Sequence, residues 1–435
     1  MAKPNLKTFN YAVGMFGTSI PINMLKTYAA IFYVDQLGMT TKQMSLMLLI
    51  YTFIDAIDNP VYGYLSDRTR SRWGRRRPWL TIGTPLLALG LIAFYSTPAF
   101  LSGTSLFAYC ALFYILTGTL DSVINANYGA LFPELFKDDA SRAKANALRQ
   151  AFQLVAMIIS IALTPIITNA IGFSTTAILY GILGGAVILY MTFTSHEAVT
   201  DIHEEKPRLW HSIKSLLVNW KFWVAGFANA FYSAAMSLVL AAMPFFAKYT
   251  LQISSGQTSI LFASVLIIAI ACVALWAQLV KKFGLMPVWR AALVALAVAF
   301  VPLYFANSLI TGIIFAALVG FGFAGVITTM DLIGAKIMDE DTRKYNLHRE
   351  GIISNALGFM NRLSGLFVSA GFLLISVLYQ FESGNNPGPR PGDAARFLIA
   401  ALPAAMMVIS FIFSFFMKFD KPTREVEQPP LKQEA

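Results

Sequence analysis

Asp55-Ala56-Ile57-Asp58-Asn59-Pro60 opens a stretch that continues through Gly63-Tyr64-Leu65-Ser66-Asp67-Arg68 to Arg72-Trp73-Gly74-Arg75-Arg76-Arg77-Pro78. Its first half lies in an apolar run, 44–65, and its second half is a loop bearing Arg68, Arg70, Arg72, Arg75, Arg76 and Arg77. A run of about 20 apolar residues is long enough to cross a bilayer as a helix. Arginines massed at the end of such a run mark the cytoplasmic side. The stretch therefore reads as a transmembrane helix with two carboxylates at membrane depth, followed by a cytoplasmic loop.

Working outward, the remaining apolar runs fall at 11–34, 79–97, 105–130, 147–168, 174–194, 220–246, 258–280, 288–306, 311–338, 351–378 and 397–416. With 44–65 they make twelve spans. The longest polar stretch, 196–219, separates six spans from six, which divides the chain into bundles at 1–195 and 220–418 and leaves a polar tail at 419–435. The loops alternate. Lys137, Arg142 and Lys144 follow span four, Lys281 and Lys282 follow span eight, and Arg343, Lys344 and Arg349 follow span ten. The opposite loops, Pro98 to Thr104, Asn169 to Phe173 and Asn307 to Leu309, carry no Lys or Arg. This sidedness predicts both termini in the cytoplasm and a multi-pass protein of the cell (inner) membrane. The echo of the span-two loop in Val280-Lys281-Lys282-Phe283-Gly284 hints that the halves are related. Two such halves place a small-molecule site near the midplane and between them.

Composition excludes several classes. Of the 435 residues 57% are hydrophobic and 13% charged, against roughly 25% charged in soluble proteins. The net charge of +10 sits in short loops between spans, so it reports topology rather than a nucleic-acid partner. Cys110 and Cys272 lie in apolar runs without ligand spacing, and His196, His203, His211 and His348 fall in loops. A membrane enzyme or a resident metal or cofactor is not expected.

Asp55 and Asp58 are three residues apart and share a helix face. A charge at the bilayer centre costs about 2.5–3.5 kcal/mol on insertion scales, so such residues face a cavity or a partner. Two readings stand: a cation site or a structural ion pair. Lys26, Asp121, Asp331, Lys336 and Arg362 also stand at membrane depth. Sugar hydroxyls call for amides and an aromatic face, for which Asn125, Tyr128, Arg149, Gln153, Asn229 and Tyr232 are candidates; helix packing is the other reading for an Asn or Tyr inside a span. Lys26 and Arg149 also suit an anionic substrate such as a sugar acid.

The Gly63 to Arg77 segment resembles the loop motif of the major facilitator superfamily. The whole chain resembles its glycoside–pentoside–hexuronide:cation symporters, the melibiose-carrier family. Tyr128-Gly129-Ala130-Leu131-Phe132-Pro133-Glu134, Arg149, and Met338-Asp339-Glu340-Asp341 with Arg349-Glu350-Gly351 carry the resemblance further. It implies an all-α membrane protein with twelve transmembrane helices in two six-helix pseudo-symmetric bundles. It also implies a secondary transporter that moves a sugar, glycoside or sugar acid with a cation by alternating access. In that reading Asp55, Asp58, Asn59, Asp121 and Asn125 bind the cation. Lys26, Asn125, Tyr128, Arg149, Gln153, Asn229, Tyr232 and Arg362 meet the substrate, and Gly63, Asp67, Arg68 and Arg75 govern conformational cycling.

The chain departs from the family pattern at two acids: Asn59 stands before Pro60, where the family has a carboxylate, and Asn125 aligns with the span-four acid. Fewer carboxylates offset less of the dehydration cost of sodium, so a proton is expected as the coupling ion. A lysolipid or other amphiphile symporter and an uncoupled facilitator remain as alternatives.

Overall fold

The computed structural model describes residues 6–417 other than 70, 137–138, 196–219 and 346–356. The linker, the tail and all four histidines thus lie outside the described residues. Among the described residues, ten helices are long and apolar enough to cross a membrane: Arg77–Tyr95, Gly103–Phe132, Lys144–Ala162, Thr164–Thr194, Trp220–Leu251, Ser255–Phe283, Leu285–Tyr304, Leu309–Ile337, Leu357–Tyr379 and Pro391–Phe415. Two more complete the twelve. Span one comprises Leu6–Ala12, Gly14–Ala30 and a π-helical end, Ile31–Gln36. Span two is the helix Thr41–Arg68. Span one is broken near Val13, and span two carries Asp55, Asp58, Asp67 and Arg68 along its length, which lowers its hydropathy.

Several helices outrun the apolar stretches that announce them. Span two begins at Thr41 because Thr40 and Gln43 form a reciprocal capping box. Span four runs as Gly103–Leu135 and span ten as Leu309–Tyr345. Hydropathy detects the lipid-embedded length, whereas the helix continues into water wherever its backbone bonds persist. The chain stays helical from span five into the next apolar run and turns at Gly172, whose φ of 78° suits glycine.

The packing repeats between halves. Span three lies against spans four and six, span one against five and six, and span two against four. In the second half span nine lies against ten and twelve, seven against eleven and twelve, and eight against ten. Small residues allow the closest of these approaches: a Cβ on Gly17 of span one would stand 2.9 Å from the Gly184 carbonyl oxygen of span six. The halves meet through span two on eleven, five on eight and one on seven.

A further repeat joins spans one and seven to their successors. Leu37-Gly38-Met39-Thr40-Thr41-Lys42-Gln43 corresponds to Leu251-Gln252-Ile253-Ser254-Ser255-Gly256-Gln257. In each, a π-helical segment (Ile31–Gln36, Phe246–Leu251) precedes a residue of positive φ, Gly38 at 76° or Gln252 at 52°. The Met39 amide then donates to the Tyr33 carbonyl at 2.9 Å, and Ile253 to Ala247 at 3.1 Å. Thr40 and Ser254 cap the following helices, each with a glutamine three residues on. This is a sharper internal echo than the basic loops.

Candidate functional site

Span two places Asp55 and Asp58 on one face, and both are buried. Span four brings hydroxyls to that face: Thr119 donates to the Asp58 carboxylate at 2.7 Å, and Ser122 donates to that of Asp55 at 3.1 Å. Thr119 and Ser122 are i, i+3 on span four, so the helical repeat that pairs the acids also pairs their donors. Asp121, between them in sequence, is buried and accepts from the Asn125 amide at 2.7 Å.

Span eleven supplies the counter-charge. The Arg362 guanidinium forms an ion pair with the Asp55 carboxylate and also donates to the Asp55 carbonyl at 2.8 Å and to Ser122 at 3.4 Å. Span two is thereby joined to span eleven, and one half to the other. Asp58 lies within electrostatic reach of Asp55 and Arg362. Asp121 lies within reach of Lys26, Asp55 and Arg362. Lys26 is exposed between buried neighbours Leu25 and Thr27. Among the described residues it has no hydrogen bond and no ion pair, only that electrostatic link to Asp121. A lysine at that depth facing lipid is costly, and the Asp121 carboxylate is the charge that offsets it.

Other expected site residues fall elsewhere. Arg149 lies over the rings of Tyr11, Tyr128 and Phe132 with its guanidinium carbon 5.9, 5.2 and 5.4 Å from their centroids. Tyr128 is stacked on Tyr11 at 4.6 Å, and each hydroxyl donates to the other's carbonyl, at 3.0 and 3.1 Å. Tyr128 is 1% exposed, so its ring is taken up in packing in this conformation. Among the described residues the buried Arg149 Nε has no hydrogen-bond partner. Gln153 is half-buried one turn along span five. Asn229 is half-buried and Tyr232 buried on span seven, the latter stacked on Phe323 at 6.3 Å. Ser233 donates to the Asn361 side chain beside Arg362.

Of the cycling residues, Arg68 is exposed at the end of the span-two helix and Arg75 is exposed in the loop. Gly63 and Asp67 lie on that helix with Asn59; the side chains of Asn59, Asp67 and Asp331 lie outside the described residues. Two further arginines of this loop bind neighbouring elements. Arg76 is buried and donates to Ser66 at 2.5 Å. Arg77 donates to the carbonyls of Phe193 and Ser195 at 3.2 and 2.9 Å, tying the start of span three to the end of span six. Sequence reasoning misses Thr119, Ser122, Arg76 and Arg77. For the hydroxyls the only signal is their i, i+3 spacing around Asp121; for the arginines there is none within the arginine run.

The site is thus an acid–base cluster at the contact between two related six-helix bundles, within a membrane. Residues 10–421 match the model of the family described as "MFS/sugar transport protein". An isoprimeverose transporter of Lactiplantibacillus pentosus is 24% identical over 65% of this chain and 60% of its own length. A putative sulfoquinovose importer of Escherichia coli (strain K12) is 26% identical over 92% of this chain and 87% of its own. In fold, a mutant of the nucleoside transporter NupG superposes with a TM-score of 0.73 at 11% identity, covering 95% of this chain and 100% of that one. The chain spans about half the length of the curated relatives it first matches. With the family model spanning nearly the whole length and the spans arranged in two bundles, the chain belongs to the MFS/sugar transport protein family.

Proposed function

We propose that this protein is a proton-coupled symporter of a sugar or sugar acid, set in the inner membrane with both termini in the cytoplasm. The observation that carries the coupling half of the reading is the pair formed by Asp55 and Arg362 across the two bundles. Asp55, Asp58 and Asp121 with Lys26 and Arg362 make three carboxylates against two cations, three minus two, one net negative charge. A cluster with net charge is expensive to carry through a closed state in low dielectric. One monovalent cation makes it neutral. Arg362 already holds the Asp55 carboxylate, and sodium needs several converging oxygens; a proton needs a single carboxylate, which Asp121 or Asp58 supplies.

The sugar half rests on the family and on relatives whose names specify sugars, among them a sulfonated one. Lys26 supports an acidic substrate. An ammonium that has no ion pair among the described residues, within electrostatic reach of Asp121, is set to receive a carboxylate or sulfonate by a charge-assisted bond. Such bonds contribute about 1.5–3 kcal/mol, or about 10- to 150-fold in affinity.

Proteoliposomes test the coupling. An inward proton gradient without sodium is expected to drive accumulation, and Asp55→Asn is expected to abolish it while leaving exchange of substrate across the membrane. Uptake driven by a sodium gradient at constant pH, and not by protons, overturns the proton assignment. Accumulation by neither gradient, with equilibration intact, identifies an uncoupled facilitator. Lys26→Gln is expected to weaken a sugar acid at least tenfold and a neutral sugar hardly at all, read as competition in the same vesicles.

A further inference from the structure

The bonds that cross between the bundles are not confined to the acid–base cluster. A second set lies at the end of the molecule opposite the basic loops, the outer end in the orientation proposed above. Thr41 donates through its amide to the Glu382 carbonyl at 2.7 Å and through its hydroxyl to the Phe381 carbonyl at 2.7 Å. The Gly384 amide donates to the Val34 carbonyl at 2.8 Å, and Ser45 meets Ser369 at 3.0 Å. Two of these are backbone to backbone and form with almost any side chain, the other two rest on hydroxyls, and all exchange for water when the bundles part.

One contact is different. Asp35, in the π-helical end of span one, has its carboxylate buried. It accepts from the Lys248 ammonium at 2.6 Å and from the Tyr249 hydroxyl, both in the π-helical end of span seven. In the repeat that relates these two ends, Asp35 and Tyr249 occupy the same position: each stands two residues before the matching leucine, Leu37 or Leu251. The repeated segment thus supplies the anion from one bundle and the donors from the other, across the axis relating them. The Asp35 side chain is 4% exposed while that of Lys248 is 53% exposed. Lys248 therefore reaches water already, and Asp35 is the group that changes environment when the bundles part at this end. π-Turns widen the helix by one residue and re-aim the side chains beyond them, and they concentrate at functional sites; here they turn Asp35 and Lys248 toward one another.

We propose that Asp35 is the latch of an outer gate. With Lys248 and Tyr249 it sets how often the molecule opens on the side away from the basic loops. The latch is separate from the Asp55–Arg362 cluster and holds whichever cation and substrate the protein carries. A ligand-free measurement therefore tests it apart from the coupling proposal. Both native cysteines are replaced, Cys110→Ala and Cys272→Ser, and Ser45→Cys is introduced beneath the latch. The full-length protein in proteoliposomes is labelled from outside with a membrane-impermeant maleimide, and orientation is controlled by protease accessibility. Closed molecules protect the thiol, so the labelling rate follows the outward-open population.

Asp35→Asn and Lys248→Gln are each expected to raise that rate by about tenfold, the equilibrium effect of losing one charge-assisted hydrogen bond. Tyr249→Phe, a milder change that keeps the fold, is expected to raise it by about threefold, and Asp35→Glu to leave it within about twofold, in keeping with a weaker neutral donor and a retained charge. Exchange of the charges, Asp35→Lys with Lys248→Asp, is expected to bring the rate below that of either single change. A rate for Tyr249→Phe and Asp35→Asn indistinguishable from the parent's overturns the latch. So does a charge-exchanged protein that labels as fast as its single variants.

Discussion

At the scale of a residue, the strongest constraint is that Asp55 and Arg362 depend on each other. Asp55 is buried and Arg362 half-buried where the two bundles meet, and each is the other's counter-ion. Removing one partner of a buried pair leaves an uncompensated charge and costs about 3–5 kcal/mol, whereas replacing both is often close to neutral. Arg362→Gln alone is therefore expected to lower the thermal midpoint more than Arg362→Gln combined with Asp55→Asn, in scanning fluorimetry of the detergent-purified protein. Equal losses would mean the two charges act independently. Much of this site is legible in the sequence, because charged side chains in apolar runs stand out. Asp55, Asp58, Asp121 and Arg362 are found that way. What is hidden is the pairing: nothing in a linear chain says that residue 362 reaches residue 55 rather than 58 or 121. The aromatic enclosure of Arg149 is equally hidden, since Tyr11 lies at the edge of its span and only the fold stacks it on Tyr128.

At the scale of the element, the helices stand as the apolar periodicity announces them, with ends displaced by caps and turns. Gly17 and Gly184 bring spans one and six to backbone contact, and a backbone oxygen cannot swing aside as a flexible side chain does. Gly17→Ala is expected to cost about 1–3 kcal/mol by overpacking. Gly129→Ala on span four, where an added methyl meets nothing within 4 Å, is expected to be neutral or stabilising by about 0.5–1 kcal/mol through backbone entropy. Parallel thermal melts of the two variants check the contrast; similar shifts would remove the close-approach argument. The π-helical ends of spans one and seven are not legible, because a single widened turn leaves the apolar pattern intact. The segment after each, Leu-x-x-Thr/Ser-x-x-Gln, is readable as a repeat once its caps are recognised.

At the scale of the molecule, the two bundles touch along spans two, five, one and their partners, and the bonds at the bare end hold them closed there. In the proposed alternating-access cycle that end parts once per turn. Ser45 and Ser369 meet across the interface, so Ser45→Cys with Ser369→Cys, in a chain lacking Cys110 and Cys272, places two thiols within disulfide reach. Mild oxidation is expected to stop transport and dithiothreitol to restore it, while substrate offered from the basic-loop side still binds. Transport that continues in the oxidised, crosslinked protein would show that this end need not open. Twelve spans and their split into halves are visible from hydropathy, whereas which faces seal and which part depends on contacts hundreds of residues apart.

Arg77 has a further consequence for how the chain is made. Its acceptors, the carbonyls of Phe193 and Ser195, lie at the far end of the first bundle, up to 118 residues downstream. At a synthesis rate of about 5–20 residues per second, the guanidinium waits about 6–24 s for them to leave the ribosome. Once Ser195 has emerged, the first bundle holds both ends of this tie, while most of the second has yet to be translated. A nascent chain arrested far enough along to expose Ser195 carries a clasp that one exposing only as far as Tyr190 lacks. The first bundle is thus equipped to close on itself during translation, and the second is built against a finished surface.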